Sequence, residues 1–231
     1  ATPAEAAAAL AEDGVETGPG PLSPHALRVV AGARRLRRAR AYRDGRVEIQ
    51  DAASQAAARF ADARPGERAL DFCAGGGGKA LALAAEGAEV TAHDADPARM
   101  ADLPARAARA GVRIGLAERP AGAFDLVFVD APCSGSGAWR RNPDAKWALT
   151  PARLDALVRR QAEALDAAAR RVRPGGRLVY ATCSLLAAEN EAAVRGLLGR
   201  APDFALESER RWDRLEDGDG FQATRLRRMD G

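Results

Sequence analysis

Three cysteines, Cys73, Cys133 and Cys183, carry the most nucleophilic side chains of this 231-residue chain. They are odd in number, lie 60 and 50 residues apart, and none falls in a CxxC or Cys/His spacing. Neither a disulfide framework nor a zinc site is indicated, and no metal is expected. A thiol attacks carbon as the thiolate. At an ordinary pKa of about 8.5 only a few per cent is ionised at pH 7, so a reacting cysteine needs a cation or a helix N-terminus beside it. Lysine is nearly absent: Lys79 and Lys146 stand among 35 basic residues that are otherwise arginine. A lysine retained against that drift is a candidate for a specific charge. The opposing reading of a cysteine near a strand end is a small buried hydrophobe, and it is preferred for the side chain of Cys73.

A regular alternation of elements must position these residues. Spans 68–73, 89–94, 112–117, 124–130 and 177–183 read as strands, with helices over 79–86 and 97–110 between the earlier ones. A helix over 51–63 precedes them, ended by Pro65-Gly66. A long helix starts with Thr150 as N-cap and Pro151 at the first helical position, its stripe running through Leu154, Leu157, Val158, Gln161, Leu165, Ala168 and Val172. Pro174-Gly175-Gly176 is expected to terminate it, a helix near 187–200 follows, and 204–208 with 221–227 read as a hairpin. Alternating strands and helices imply right-handed crossovers. The predicted fold class is α/β, a doubly wound, mostly parallel sheet with a C-terminal antiparallel hairpin.

Ligands of such sheets bind beyond the carboxyl ends of the strands. There the chain carries Asp71-Phe72-Cys73, His93-Asp94, Asp130-Ala131-Pro132-Cys133 and Thr182-Cys183-Ser184. The turn Cys73-Ala74-Gly75-Gly76-Gly77-Gly78-Lys79-Ala80 permits close backbone approach to a ligand at a helix N-terminus. A Walker-type phosphate loop is disfavoured, since Cys73 stands where the first glycine belongs and Ala80 where the magnesium-binding hydroxyl belongs. Asp94 ends the second strand at the spacing where an acid takes ribose hydroxyls. The pair predicts a nucleoside-containing cofactor, either a dinucleotide or S-adenosylmethionine.

The blocks LDFCAGGGGK, DAPCSGSGAWRRNPDAKW from Asp130 to Trp147 and YATCSLLAAENE from Tyr180 to Glu191 resemble RNA cytosine-C5 methyltransferases of the RsmB/NOP/Sun type. The resemblance runs from about Gly45 to Arg200, and both lysines fall on family positions. It implies a class I, Rossmann-like methyltransferase fold and S-adenosyl-L-methionine as cofactor, contacted by Cys73, Ala74, Gly75, Gly76, Gly77, Gly78, Lys79, Asp94 and Asp130. It also implies that Cys183 attacks C6 of a cytosine, Cys133 assists release, Asp130 hydrogen-bonds the base near N3 and N4, and Lys79 is a cationic neighbour. That chemistry is independently reasonable: C5 of cytosine is a poor nucleophile until something adds to C6, and a thiolate suits reversible addition. The implied partner is RNA, ribosomal ahead of transfer RNA. The chain departs from the family pattern at Gly75-Gly76, where the family has Ala-Pro, and at Ala80, where it has Thr. After the third strand the family has an acid that contacts adenosine, whereas this chain reads Leu116-Ala117-Glu118. Either Glu118 substitutes or that contact is absent.

Hydrophobic residues make up 47% and charged residues 29%, a globular composition, and no apolar run approaches the roughly 18 residues of a membrane span. The start lacks a basic, then apolar, secretory pattern, so a cytoplasmic monomer with no membrane partner is expected. Net charge is only +3, so the distribution of charge matters more than its sum. Residues 1–44 read as an N-terminal appendage, a remnant of an RNA-binding region, and 45–231 as the catalytic domain. The basic run Arg34–Arg40 is balanced between a solvated helix face and RNA contact, and the loop Trp139–Trp147 offers arginines and tryptophans to phosphates and an unstacked base. The rival readings are a DNA cytosine-C5 methyltransferase, in which the Pro-Cys thiol attacks, and an RNA-associated protein of the same fold with little or no turnover.

Overall fold

The computed structural model describes residues 1–213 and 218–230. Its N-terminal part is helix α1 (Pro3–Glu12), strands β1 (Glu16–Pro19) and β2 (Leu27–Ala31) paired antiparallel, a 3-10 turn over Ala33–Arg38 and the short helix α2 (Arg40–Arg43). Thr2 and Glu5 form a capping box that satisfies the amides opening α1. Leu10, Val15, Ala39 and Ala41 bury together under this layer, a cluster separate from those of the sheet. The segment then docks on the larger unit: Glu48 pairs with Arg109 at 2.5 Å, whose guanidinium lies 4.2 Å from the Tyr42 ring centroid.

Helix α3 (Ala52–Phe60), capped by the Asp51 carboxylate on the Ala53 and Ser54 amides, leads into the main sheet. Strands β3 (Arg68–Asp71), β4 (Glu89–Ala92), β5 (Ile114–Leu116), β6 (Phe124–Asp130), β7 (Val172–Thr182), β8 (Phe204–Trp212) and β9 (Phe221–Arg228) lie in the order β5-β4-β3-β6-β7-β9-β8. The first five are parallel, and β9 joins β7 and β8 antiparallel. Helices α4 (Gly78–Ala85), α5 (Leu103–Ala110), α6 (Pro151–Ala169) and α7 (Glu191–Arg200) make the crossovers, and two apolar clusters cover the faces of the sheet. The predicted fold class is observed. Strand β6 runs with almost no polar interruption because both its faces are covered, as befits a central parallel strand.

The Pro174-Gly175-Gly176 expectation is corrected. Helix α6 stops at Ala169, and the three residues lie inside β7, which already pairs at Val172 with Phe124. The register then shifts before Leu126 pairs with Arg177. Proline cannot donate to a ladder, but a bulge accommodates it, and Gly175 takes the positive φ of +69° the bulge needs. The 97–110 helix is interrupted as well: a 3-10 turn over Pro97–Met100 precedes α5. Among the described residues no helix is long and apolar enough to cross a membrane.

Candidate active site

The parallel register brings the chemistry to one edge. Strand β3 ends at Asp71 and runs through Cys73–Gly77 into α4, held by Phe72 N–H on the Phe128 carbonyl and Ala74 N–H on the His93 carbonyl. Gly77 has φ of +81°, and a Cβ there would collide with the buried Leu103 side chain. Asp94 is only 4% exposed; its carboxylate accepts the Gly75 amide at 2.8 Å and the Asp96 amide at 3.0 Å, and Arg99 lies 3.3 Å away. Asp94 therefore closes the glycine turn from the neighbouring strand. A carboxylate has about four lone-pair sites, so two bonds and a cation leave room for a ribose hydroxyl. Arg106 donates to the Gly76 carbonyl.

Asp71, at the foot of this turn, is fully buried, and neither carboxylate oxygen has a partner at good hydrogen-bond geometry. Burial pushes its carboxyl up to about 7, opposed by the charge of Lys79. A glycine cradle with an orphaned acid beneath it and a second acid at its side fits a cationic, nucleoside-bearing cofactor such as S-adenosylmethionine. Cys73 is a poor nucleophile here: burial, then Asp71, pushes its thiol up to about 12. Glu118 is exposed in the loop after β5, two residues beyond Leu116, which pairs with Ala92, itself two residues before Asp94. Among the described residues no cluster of His, Cys, Asp and Glu is placed to hold a metal ion.

On the other side of β3, Asp130 pairs with Ala181 at the ends of β6 and β7. The loops that follow bring the Cys133 and Cys183 sulfurs to 3.4 Å. Lys79, 11% exposed, reaches across from α4 to Asp130 at 2.5 Å and lies 5.1 Å from the Phe221 ring centroid. Burial pulls the Lys79 ammonium down, but its pairing with Asp130 outweighs this and leaves it raised. The two thiols are unequal. The hydrogen bond between the two sulfurs, with help from Lys79 and against burial and Asp130, holds Cys183 below the usual thiol range. The same bond, together with burial, pushes Cys133 far up.

Other groups here acquire a role only in the fold. Gln161, part of an apolar stripe by its spacing, is fully buried and donates to the Pro132 carbonyl at 2.9 Å. Glu189 is 0% exposed beneath the two cysteine loops. Asp219 anchors Arg141 through a forked pair, with Arg140 at 3.7 Å, and the Gly220 amide donates to the Gly137 carbonyl at 2.9 Å. Arg141 is thus committed to the protein rather than presented freely to phosphate. Trp147, 81% exposed beside Lys146, is open for stacking, and Arg34, Arg35, Arg37 and Arg38 are exposed.

Residues 58–228 match the family described as 16S rRNA methyltransferase RsmB/F. The ribosomal RNA small subunit methyltransferase B of Salmonella arizonae is 36% identical over 236 residues, which takes in 94% of this chain and 55% of that protein. The chain spans about half the length of the curated relatives it matches. The crystal structure of PH0851 superposes with a TM-score of 0.88 at 32% identity, covering 96% of this chain and 56% of that one. A methyltransferase homolog protein from Pyrococcus horikoshii shares the fold with a TM-score of 0.84 at 22% identity, over 99% of this chain and 83% of that one. Matched over most of its length by the family and over nearly all of it by a relative well above 30% identity, the chain belongs to the RsmB/F family of 16S rRNA methyltransferases, which are S-adenosylmethionine-dependent.

Proposed function

We propose that this chain is the methyl-transferring part of an enzyme that places a methyl group on C5 of a cytosine in RNA, ribosomal RNA in the first instance, with Cys183 as nucleophile. The observation that carries the reading is the pair of thiols 3.4 Å apart, of opposed acidity, beside the Lys79–Asp130 ion pair. Residues 45–231 are the catalytic unit in this reading, and residues 1–44 flank it as an RNA-contacting appendage.

When bound, S-adenosylmethionine supplies an electrophilic methyl group, and the glycine turn with Asp71 and Asp94 is where this chain would hold it. Cys183 Sγ adds to C6 of the flipped base, and the C5–C6 π electrons become available at C5. Asp130, paired with Lys79, accepts a hydrogen bond from the exocyclic amine and orients the ring. After methylation the ionised Cys133 sulfur takes the proton from C5, the C5–C6 double bond re-forms and the Cys183 sulfur is expelled as thiolate. Cys133 is well placed to aid that last step. Its acidity is suppressed chiefly by the bond to Cys183, and once Cys183 is a thioether that bond no longer runs to a thiolate. Cys133 becomes a better proton carrier only after attack has occurred.

The test follows labelled methyl transfer to total cellular RNA, with mapping of the product, in the parent and in two variants. Cys183→Ala should abolish both turnover and covalent adduct. Cys133→Ala should still attack and then stall as a denaturant-resistant protein–RNA band. The reverse pattern assigns attack to Cys133, and cofactor binding without transfer to any RNA favours a protein without turnover.

A further inference from the structure

Glu189 is a carboxylate with no access to solvent, and every bond it accepts comes from the walls of the thiol site. Its Oε1 accepts the Ser134 amide at 2.8 Å and the Gln161 amide group at 3.0 Å; its Oε2 accepts the Ser134 and Ser184 hydroxyls, each at 2.5 Å. Ser134 directly follows Cys133, and Ser184 directly follows Cys183. Both serine protons are spent on the carboxylate, so each hydroxyl oxygen is left to accept: Ser184 takes the Leu186 amide at 3.1 Å and the Ser136 hydroxyl at 3.1 Å. The backbone on either side of Glu189 is fixed too. Its carbonyl accepts the Tyr180 hydroxyl at 2.6 Å from within β7, and the Asn190 side chain donates to the Ser184 carbonyl at 2.9 Å.

We propose that Glu189 is a positioning residue that sets the distance between the two thiols, by bracing the residue after each of them on one buried carboxylate. The proposal rests on the reading of Cys133 and Cys183 as the reacting pair. Its physical basis is the bonding capacity of the group: a carboxylate alone among side chains accepts four bonds in one plane, and an amide in its place must turn a donor toward donors. Buried charge is expensive unless hydrogen-bonded, so the carboxylate draws both loops inward as strongly as they stabilise it. Glu189 does not touch the substrate site itself; it acts through the loops.

The experiment uses the full chain and a readout that needs neither RNA nor methyl transfer. The purified protein is equilibrated with reduced and oxidised glutathione, where the two thiols lose two electrons and two protons to form one disulfide and oxidised glutathione takes them up to give two thiols. The equilibrium constant is the effective concentration of one sulfur at the other. Glu189→Gln should lower it about tenfold or more, with a lower melting temperature but the cofactor affinity of the folded protein changed little, and should lower kcat about 100-fold at nearly constant KM for RNA, as expected when reacting groups shift by roughly 1 Å. Ser134→Ala and Ser184→Ala, which leave the acid in place, should each give a smaller fall in the same constant, so a failure of the Glu189 variant to fold still leaves a test. An unchanged thiol equilibrium in all folded variants overturns the proposal, as does a fall in cofactor affinity parallel to it, which marks a general loss of structure. If the parent methylates no RNA but the thiol equilibrium still shifts, the functional reading fails and the positioning role stands.

Discussion

Two carboxylates beside the glycine turn have opposite circumstances, and their substitution should read out differently. Asp94 is engaged on both oxygens by backbone amides and by Arg99. Asp94→Ala removes charge-assisted hydrogen bonds of roughly 1.5–3 kcal/mol each, so S-adenosylmethionine affinity should fall at least about tenfold. Titration calorimetry showing unchanged affinity would take Asp94 out of the site. Asp71 has no partner at good hydrogen-bond geometry, and burial raises its carboxyl to about 7 against the charge of Lys79 and the nearby Ala80 amide. The native state therefore keeps a proton that the unfolded chain releases near pH 4, so this residue's contribution to stability is complete below pH 4, declines between pH 4 and 7, and is flat above. Asp71→Asn should remove up to roughly 4 kcal/mol of that pH dependence. Denaturant melts at pH 5 and pH 8 that differ as much in the variant as in the parent would show that Asp71 titrates normally.

At the scale of elements, the glycine turn between β3 and α4 has one position that tolerates no side chain. Gly77→Ala forces a non-glycine residue to φ of +81° and drives a methyl into buried Leu103. A left-handed residue costs about 1–2 kcal/mol and overpacking adds about 1–3 kcal/mol, so equilibrium unfolding should show a loss within the sum of these. A stability change near zero would mean the turn relaxes freely. Much of this level is legible in the chain. Phe124–Asp130 can be read to its ends because an apolar run broken only by Asp125 has little to be confused with, and Thr150-Pro151 marks the start of α6 through local capping chemistry. Pro174-Gly175-Gly176 misleads because residues that break a helix also make a bulge, and only the neighbouring strand decides which. Glu189 is hidden for a similar reason. Within the block Tyr180–Glu191 it is followed by Asn190 and Glu191, polar residues that look solvated with it, and its partner Ser134 is 55 residues away. The same holds for Arg141, whose partner Asp219 is 78 residues distant.

For the molecule as a whole, charge is a matter of where the arginines stand. Arg34, Arg35, Arg37 and Arg38 are exposed on a turn of the N-terminal layer, whereas Arg40 is paired with Glu12 at 2.6 Å and Arg141 with Asp219. If the first four meet phosphate, their reversal to glutamate should flatten the dependence of RNA affinity on salt, by about 0.7 in the log–log slope for each single-strand phosphate no longer neutralised. Filter binding across a salt series that returns the parental slope and affinity assigns that turn to solvent. The N-terminal layer meets the larger unit where the Tyr42 ring lies against Arg109, away from the thiol loops. An effect of the arginine changes on RNA affinity should accordingly leave the chemistry of the two thiols untouched.

The strand order also determines what the sheet offers to a passing chain. Its rims are β5 and β8, the places where backbone donors and acceptors lack a neighbouring strand. At one rim β5 is three residues long, too short to template an added strand. At the other, β8 carries Glu207, Glu209, Arg210 and Arg211 in close succession, so an incoming ribbon would have to bury or match charges of both signs. Short length and mixed charge are the means by which natural sheets discourage edge-to-edge growth. The long apolar strands β6 and β7, which would be the most hazardous templates, sit in the middle of the order, where each already has neighbours on both sides. A protein whose paired sulfurs lie just beyond the tips of those two strands thereby keeps its most aggregation-prone segments out of reach of its own copies.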